Sequence, residues 1–477
     1  MENQFIIKLK NFYQGFAPLA HLNSLTEKGN EGNASAMVNV DVLGETLTQG
    51  PTLANLTNGT QAGSVSELIN HILDVAVSDD ATYGIGATKL YKISSTAVIN
   101  TGGFPHTITN ATDGESVAYL KGNLYYFYNK ASGGDIGKYD LASTFDDDWG
   151  STTPTGAGAL QKVIHPSATK EDIMMFGNGR YAGVYFANEN TIDLDKLDFG
   201  NNTEVADIIF HANQWIIAVN SGVSGTNRNY SQIYSYDGSA TSALLSDEVA
   251  IGLQRIGFLF QVGGIVFVAY QDLSFTGGYK LGYLSGRKIE PLVHFTGSLP
   301  NFAQKTLYKN TIIFLSSGLV YSAGSIVGEL PFALSQLADG GYATCGALAA
   351  PFGTPMIAST DGATNFRLAK FNGYDVACSW RSVVIPVVEG KRNGYIDYIV
   401  VRTSSLGASA RCDLKVEIDD DSSETDAYQI TTTAKKKHIF NINKACDNFR
   451  IFLDWSNGSA SNACPIKEIQ IFGHYKE

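Results

Sequence analysis

Charged residues are scarce in this sequence. They make up 17% of its 477 residues, against about 25% in an average soluble protein. Proline is also infrequent, with 12 residues. No stretch reaches the roughly 18–20 consecutive apolar residues of a membrane-spanning helix. The first residues, Met1 to Lys8, contain no long apolar run either, so neither an export signal nor membrane insertion is predicted.

Cysteine is rare and occurs late in the chain, at Cys345, Cys378, Cys412, Cys446 and Cys464. An odd number of cysteines without an export signal predicts reduced, buried thiols in a protein made in a cytoplasm. No CxxC pair is present, and the eight histidines form no HxH or HExxH pattern. The sequence therefore predicts no metal site.

Basic residues are outnumbered by acidic ones, 34 to 46, which gives a net charge of −12. Such a chain lacks the cationic surface that specific nucleic-acid binding needs. Residues 376–477 hold 13 basic and 13 acidic residues. The acidic excess therefore belongs to residues 1–375.

Glycine and aromatic residues are abundant, with 49 Gly, 24 Tyr and 25 Phe. Between residues 65 and 375 one theme recurs seven times, at intervals of about 40–50 residues. Each copy begins with a short apolar strand, a turn with Gly or Asn and a second apolar strand. A third strand follows and ends in an aromatic residue, as in residues 205–210, 214–219 and 232–238. This period is typical of β-propeller blades, which must pack around an axis to bury both faces of each sheet. A two-sheet sandwich array and a β-solenoid remain alternatives.

Three regions follow from these patterns. Residues 1–64 are predicted to form an extended arm, residues 65–375 a β-propeller of about seven blades, and residues 376–477 a C-terminal β-sandwich. The alternation of apolar and polar residues over 412–418 predicts a half-buried strand, with Cys412 as a small core residue. The whole chain is therefore predicted to be all-β. The best helix candidate is short, over residues 66–73.

A search for chemical motifs finds few. No GxSxG is present, and the glycine-rich residues 177–183 are predicted to form a hairpin turn rather than a phosphate loop. The acidic runs 146–148 and 419–421 lack a calcium-loop frame and are predicted to be solvated turns. Residues 435–438 are predicted to form a charged hairpin tip, and residues 359–366 match the sialidase Asp-box poorly and only once. We therefore predict no catalytic residue, no cofactor and no enzyme activity.

The order of short motifs resembles a known family. Asn39-Val40-Asp41 is followed by Gly50-Pro51, then by a propeller with turns such as residues 236–238, then by a sandwich that opens with residues 379–381 (Ser-Trp-Arg). This layout is similar to the β-propeller virion proteins of tailed bacteriophages, of the tail hub, nozzle or DNA-stabilisation type.

The resemblance implies a non-enzymatic structural component of a phage tail or head–tail junction, found in the virion after synthesis in the host cytoplasm. It implies a homo-oligomeric ring, often a hexamer, that contacts other tail or connector proteins around the DNA passage. An acidic wall would repel phosphates and let the genome slide. The alternative is a receptor- or glycan-binding propeller on the virion surface, with exposed tyrosines on one rim as contacts. A glycoside hydrolase is a third, less favoured hypothesis.

Overall fold

The structure is a computed structural model. It describes residues 4–10, 12, 34–42, 46–56, 65–78, 80–162, 166–222, 231–238, 244–247, 253–272, 277–324, 333–339, 344–361, 365–387, 393–419, 428–431 and 436–476.

The N-terminal region contributes strands to both parts of the molecule. Its strands are β1 (Gln4–Leu9), β2 (Ala34–Val38), β3 (Val40–Asp41), β4 (Thr48–Gln49) and β5 (Thr52–Asn55). β1 and β2 join the two sheets of the C-terminal sandwich, and β5 becomes the outer strand of the last propeller blade. The region predicted as an arm thus supplies strands to other sheets, because an isolated strand cannot satisfy its own backbone hydrogen bonds.

Seven small sheets follow along the chain. Blade 1 holds β6 (Ile69–Ile72), β7 (Thr82–Gly86), β8 (Lys89–Ile93), β9 (Val98–Ile99) and β10 (His106–Thr107). Blade 2 holds β11 (Asp113–Leu120), β12 (Asn123–Lys130), β13 (Gly133–Tyr139) and β14 (Phe145–Asp146), followed by the short helix α1 (Trp149–Thr152). Blade 3 holds β15 (Thr155–Ala157), β16 (Ser167–Lys170), β17 (Ile173–Asn178), β18 (Tyr181–Phe186) and β19 (Thr191–Asp198).

Blade 4 holds β20 (Thr203–His211), β21 (Gln214–Ser221), β22 (Gln232–Tyr236) and β23 (Leu244–Asp247). Blade 5 holds β24 (Leu253–Val262), β25 (Ile265–Asp272), β26 (Gly278–Ser285) and β27 (Lys288–Thr296). Blade 6 holds β28 (Lys305–Tyr308), β29 (Thr311–Ser316), β30 (Leu319–Gly324) and β31 (Ala333–Asp339). Blade 7 holds β32 (Thr344–Ala349), β33 (Met356–Thr360) and β34 (Phe366–Asn372), with β5 paired to β34.

The seven sheets close into a ring. The innermost strands β6, β11, β16, β20, β24, β28 and β32 each lie beside the innermost strand of the next blade, and β32 lies beside β6. The predicted fold class, an all-β propeller of about seven blades with a C-terminal β-sandwich, is confirmed. The helix expected over residues 66–73 is wrong, because β6 lies there and its apolar residues pack against blade 7.

Hydrophobic clusters lie between the blades, one at each of the seven blade-to-blade contacts. Strand β12 shows how one strand contributes to two of these clusters. Its Tyr126 and Tyr128 face blade 1, whereas Tyr125 and Phe127 face blade 3. Since successive side chains of a strand point to opposite faces, a strand buried on both faces must be apolar throughout.

The remaining strands form the sandwich. They are β35 (Ser379–Ser382), β36 (Ile385–Pro386), β37 (Gly394–Thr403), β38 (Arg411–Ile418), β39 (Tyr428–Thr431), β40 (Lys437–Cys446), β41 (Asn448–Asp454) and β42 (Ile466–Tyr475). One sheet has the order β1-β42-β37-β40, and the other β2-β35-β41-β38-β39 with β36 beside β41. Both sheets share one core, which contains Cys412 as predicted. All five cysteines are free thiols, and four are buried.

Candidate ligand-binding site on the propeller axis

Several of the innermost strands are irregular. Strands β6, β11, β20, β24 and β32 each carry a β-bulge. In β6 the bulge lies at Asn70, just before His71, and in β20 it lies at Ala206, just before Asp207. A bulge breaks the alternation of side chains and turns a residue in a new direction. His71 and Asp207 both line a cavity on the axis.

This axial cavity has a volume of about 300 Å³. Residues from blades 1, 3, 4, 5, 6 and 7 contribute to its wall. Its polar lining consists of His71, Asp74, Ser167, Asp207, Gln261 and Lys305, and its aromatic lining of Phe210, Phe260 and Phe302. Apolar walls with a few converging polar groups are typical of ligand sites.

Asp207 and Lys305 form a buried ion pair in this wall. Their side chains are 6% and 9% exposed, and Lys305 Nζ contacts Asp207 Oδ2. The same oxygen accepts the Leu259 N–H at 2.7 Å. Burial raises the pKa of Asp207 and lowers that of Lys305, while their mutual attraction opposes both shifts. The ammonium group of Lys305 is therefore engaged within the protein.

Asp74 follows β6. Unlike Asp207, it is an exposed residue. Its carboxylate accepts the Thr306 hydroxyl at 2.6 and 2.7 Å and the Ala350 N–H at 2.7 Å. Desolvation by the surrounding protein raises the pKa of Asp74, and these hydrogen bonds and the charge of Lys305 oppose that shift. The contacts hold the carboxylate in place between blades 1, 6 and 7.

His71 presents a neutral imidazole to the cavity. Its Nδ1 accepts the Val117 N–H at 3.1 Å, which leaves Nε2 to carry the ring proton. Burial, with a further contribution from Lys305, lowers the pKa of His71 to about 3. The ring packs against Phe302, with 5.6 Å between the centroids. His71 is thus a candidate hydrogen-bond donor to a bound ligand.

The other end of the axis is acidic. Asp113, Glu115 and Glu204 lie where β11 and β20 begin. Burial raises the pKa of Glu115 to about 8, and the charges of Asp113 and Glu204 add to this effect. Glu204 pairs with Arg255 at 3.0 Å. Among the residues that the structure describes, no group of His, Cys, Asp and Glu has the arrangement of a metal site.

The structure shows the surroundings of two of the sequence motifs. The run at residues 146–148 is half-buried rather than a solvated turn. Burial of Asp147 favours its protonated form, yet hydrogen bonds from His106, Tyr126 and Thr109 hold its pKa well below the usual range. Asp148 pairs with Lys130 at 2.8 Å. The prediction for residues 177–183 is confirmed, because β17 and β18 form a hairpin there.

Other predictions fall partly outside the described residues, namely those on Asp420, Asp421 and Lys435 and on residues 362–364 of the Asp-box comparison. The exposed tyrosines expected on one rim are not found in the described part of the chain. Its exposed large apolar side chains are Ile6, Val38, Val75, Leu307, Val376 and Ile439. No helix in the described ranges is long and apolar enough to span a membrane.

The four titratable residues of the axial site, His71, Asp74, Asp207 and Lys305, were not predicted from the sequence. One signal could have found Asp207, since it is the only charged residue within the apolar strand segment 205–210. A charge in a strand buried on both faces must have a partner or a function. Asp74 and Lys305 carry no such signal, because both lie at strand ends.

Comparison with known proteins gives similar folds and no family. No family model matches the chain, and no curated protein matches it. Among solved structures, the Dos1 propeller is 10% identical, with a TM-score of 0.41 over 68% of this chain and 95% of that one. An exo-β-1,3-galactanase from Phanerochaete chrysosporium is 11% identical, with a TM-score of 0.30 over 89% of this chain and 100% of that one. These similarities concern the fold alone.

A third similar structure is the extracellular domain of a hybrid two-component system from B. thetaiotaomicron. It is 13% identical, with a TM-score of 0.46, and this chain spans 48% of its length. The prediction that the chain is not an enzyme is corrected by these comparisons. Glycoside hydrolases are among the similar structures, so the architecture gives no ground for excluding catalysis. No substrate or residue role is carried over from them.

Proposed function

We propose that this chain is a glycan-binding β-propeller and that the axial cavity is its sugar site. The observation that carries this proposal is the lining of the cavity. Carboxylate, imidazole and amide groups converge there with the rings of Phe210, Phe260 and Phe302. Sugars offer hydroxyls to such polar groups and C–H faces to aromatic rings.

The size of the cavity supports this assignment. A volume of about 300 Å³ is at the small end of ligand pockets. It suits a terminal sugar residue better than a long chain. The site also needs little rearrangement, because Asp74 and Asp207 are already held by backbone N–H groups. A pre-formed site loses less free energy in ordering its side chains when the ligand binds.

The biological setting remains the one that the sequence resemblance predicts. A glycan-binding propeller on a tailed-phage virion would contact host polysaccharide. Its low content of charged residues, 17%, suits a subunit that buries surface against other copies or against tail and connector proteins. The ring around the DNA passage stays a prediction, and imaging of the purified chain or particle would test it.

The proposed function is tested by titrating the purified full chain with a panel of mono- and disaccharides in a calorimeter. Phe302→Ala removes one ring of the cavity wall, and we expect it to weaken sugar binding about tenfold, since stacking on a ring contributes about 1 kcal/mol or more. The matched control is Leu307→Ala, at an exposed apolar residue that does not line the cavity. If no sugar binds, or if both variants weaken binding equally, the proposal is wrong.

A second candidate function is glycoside hydrolysis. The observation that favours it is that Asp74 and Asp207 share one cavity and both have a raised pKa, as a general acid requires. The same sugar panel tests it by release of reducing ends. Turnover that Asp74→Asn abolishes while sugar binding persists would establish hydrolysis.

A further inference from the structure

The charges of the axial cavity do not cancel. Two carboxylates, Asp74 and Asp207, and one ammonium group, Lys305, line it, and His71 is neutral. No arginine is among the described residues of the lining. The cavity therefore carries a net charge of −1 when both carboxylates are ionised.

The two carboxylates are not equally available to a ligand. Asp207 is 6% exposed and is bound to Lys305, which is itself 9% exposed. Asp74 is the more exposed residue of the two, although its carboxyl group is partly desolvated, and its partners Thr306 and Ala350 are uncharged hydrogen-bond donors. The charge of Asp74 is therefore not neutralised by a bound cation, whereas the charges of Asp207 and Lys305 offset each other.

This arrangement selects ligands by charge. A ligand ammonium group would form a charge-assisted hydrogen bond with Asp74, and such bonds are roughly twice as strong as neutral ones. A ligand carboxylate would be repelled by Asp74 and would find Lys305 already neutralised. The repulsion acts at close range, within the Debye length of about 8 Å at physiological ionic strength, so salt screens it only in part.

We propose that the axial cavity recognises an amino sugar with a free ammonium group, with Asp74 as the residue that determines specificity. The inference rests on the proposed glycan-binding function and adds to it the class of sugar. The neutral parent sugar binds more weakly, and the corresponding uronic acid is rejected.

Asp74→Asn is a suitable variant for the test. An asparagine has the shape of the aspartate, and its carbonyl oxygen can still accept the Ala350 N–H. Its amide can donate to the Thr306 hydroxyl, which rotates freely. The variant therefore removes the charge and keeps the contacts. The matched control is Asp113→Asn, which removes one charge at the opposite end of the axis.

The experiment is calorimetric titration of the full chain with glucosamine, glucose and glucuronic acid at neutral pH, and with the galactose and mannose series. We expect the amino sugar of one series to bind about tenfold more tightly than its neutral parent. Asp74→Asn should reduce that ratio to about one while the neutral sugar still binds, and Asp113→Asn should leave it unchanged.

The outcomes separate this inference from the proposed function. If neutral or acidic sugars bind as well as amino sugars, the glycan site stands and the charge selection is wrong. If Asp74→Asn keeps the preference, Asp74 does not determine it and the inference is overturned. If none of the sugars of any series binds, the proposed function fails, and the inference fails with it.

Discussion

The propeller and the sandwich bury their apolar residues in different ways. The propeller has seven separate clusters between blades, and many of their members are aromatic. The sandwich has one core shared by two sheets, with Leu, Ile and Val, four cysteines and two tryptophans. In the propeller both faces of a blade are covered, as β12 shows. In the sandwich β38 sends Cys412, Leu414 and Val416 into the core, while its alternate side chains are charged and form ion pairs such as Arg411–Asp413.

The two ways of burying a strand leave two different patterns in the sequence. A continuous apolar run marks a blade strand, and an alternating run marks a sandwich strand. The two regions are nevertheless joined. Asn39 Nδ2 donates to Asp375 Oδ2 at 2.6 Å, and Lys309 of blade 6 pairs with Asp41 at 2.7 Å. The Asn-Val-Asp motif of residues 39–41 thus lies at the junction.

The largest effects are expected from removing a buried ring in each region. Trp380 in the sandwich and Phe127 between blades 2 and 3 are fully buried. Trp380→Ala and Phe127→Ala should each lower the free energy of unfolding by about 3–5 kcal/mol, because each leaves a cavity. Since the cores are separate, hydrogen exchange should rise mainly in β35 and its neighbour β41 for Trp380→Ala and in β12 for Phe127→Ala. Equal acceleration throughout the chain would show that the two regions unfold as one unit.

A smaller effect is expected at the junction. A Cβ on Gly50 would lie 2.0 Å from the Leu337 carbonyl oxygen and 2.6 Å from that of Asn39. Gly50→Ala should therefore cost about 1–3 kcal/mol of stability, measured by chemical denaturation, because backbone atoms must move. The control is Gly407→Ala, where the nearest atoms belong to the Asn462 side chain rather than to the backbone. A smaller loss for Gly50→Ala than for the control would contradict this account of the junction.

The smallest effect concerns a polar contact confined to the propeller. The pKa of Asp147 is lower in the folded protein than in the unfolded chain, so its ionised form stabilises the fold above the unfolded pKa near 4. Asp147→Asn should cost about 1 kcal/mol at pH 7. The difference in the free energy of unfolding between this variant and the unmodified chain should shrink as the pH falls through the pKa of Asp147 in the folded protein. Denaturation at several pH values measures it, with the exposed Asp195→Asn as control. A difference that does not change with pH would contradict the assignment.

The fold was largely predictable from the sequence, and the candidate site was not. Residues 214–219 and 412–418 each show their strand type within a few residues, because burial of one or both faces is recorded in local alternation. Local alternation does not predict that β5 completes the last blade and closes the ring. Nothing in residues 52–55 indicates that they pair with residues 369–372 at the far end of the propeller.

Local patterns in the sequence were enough to predict that this protein is all-β, that its blades repeat about seven times, and that residues 376–477 form a sandwich. These features depend on short-range periodicity, which each segment carries within itself. The axial cavity, in contrast, became apparent only in the tertiary structure. Asp74 and Thr306 are 232 residues apart in the chain and yet share a hydrogen bond, because closing the ring brings the ends of all innermost strands to one axis. Apart from the single charge of Asp207 in its apolar strand, chemistry that is assembled across six blades leaves no pattern in any one of them.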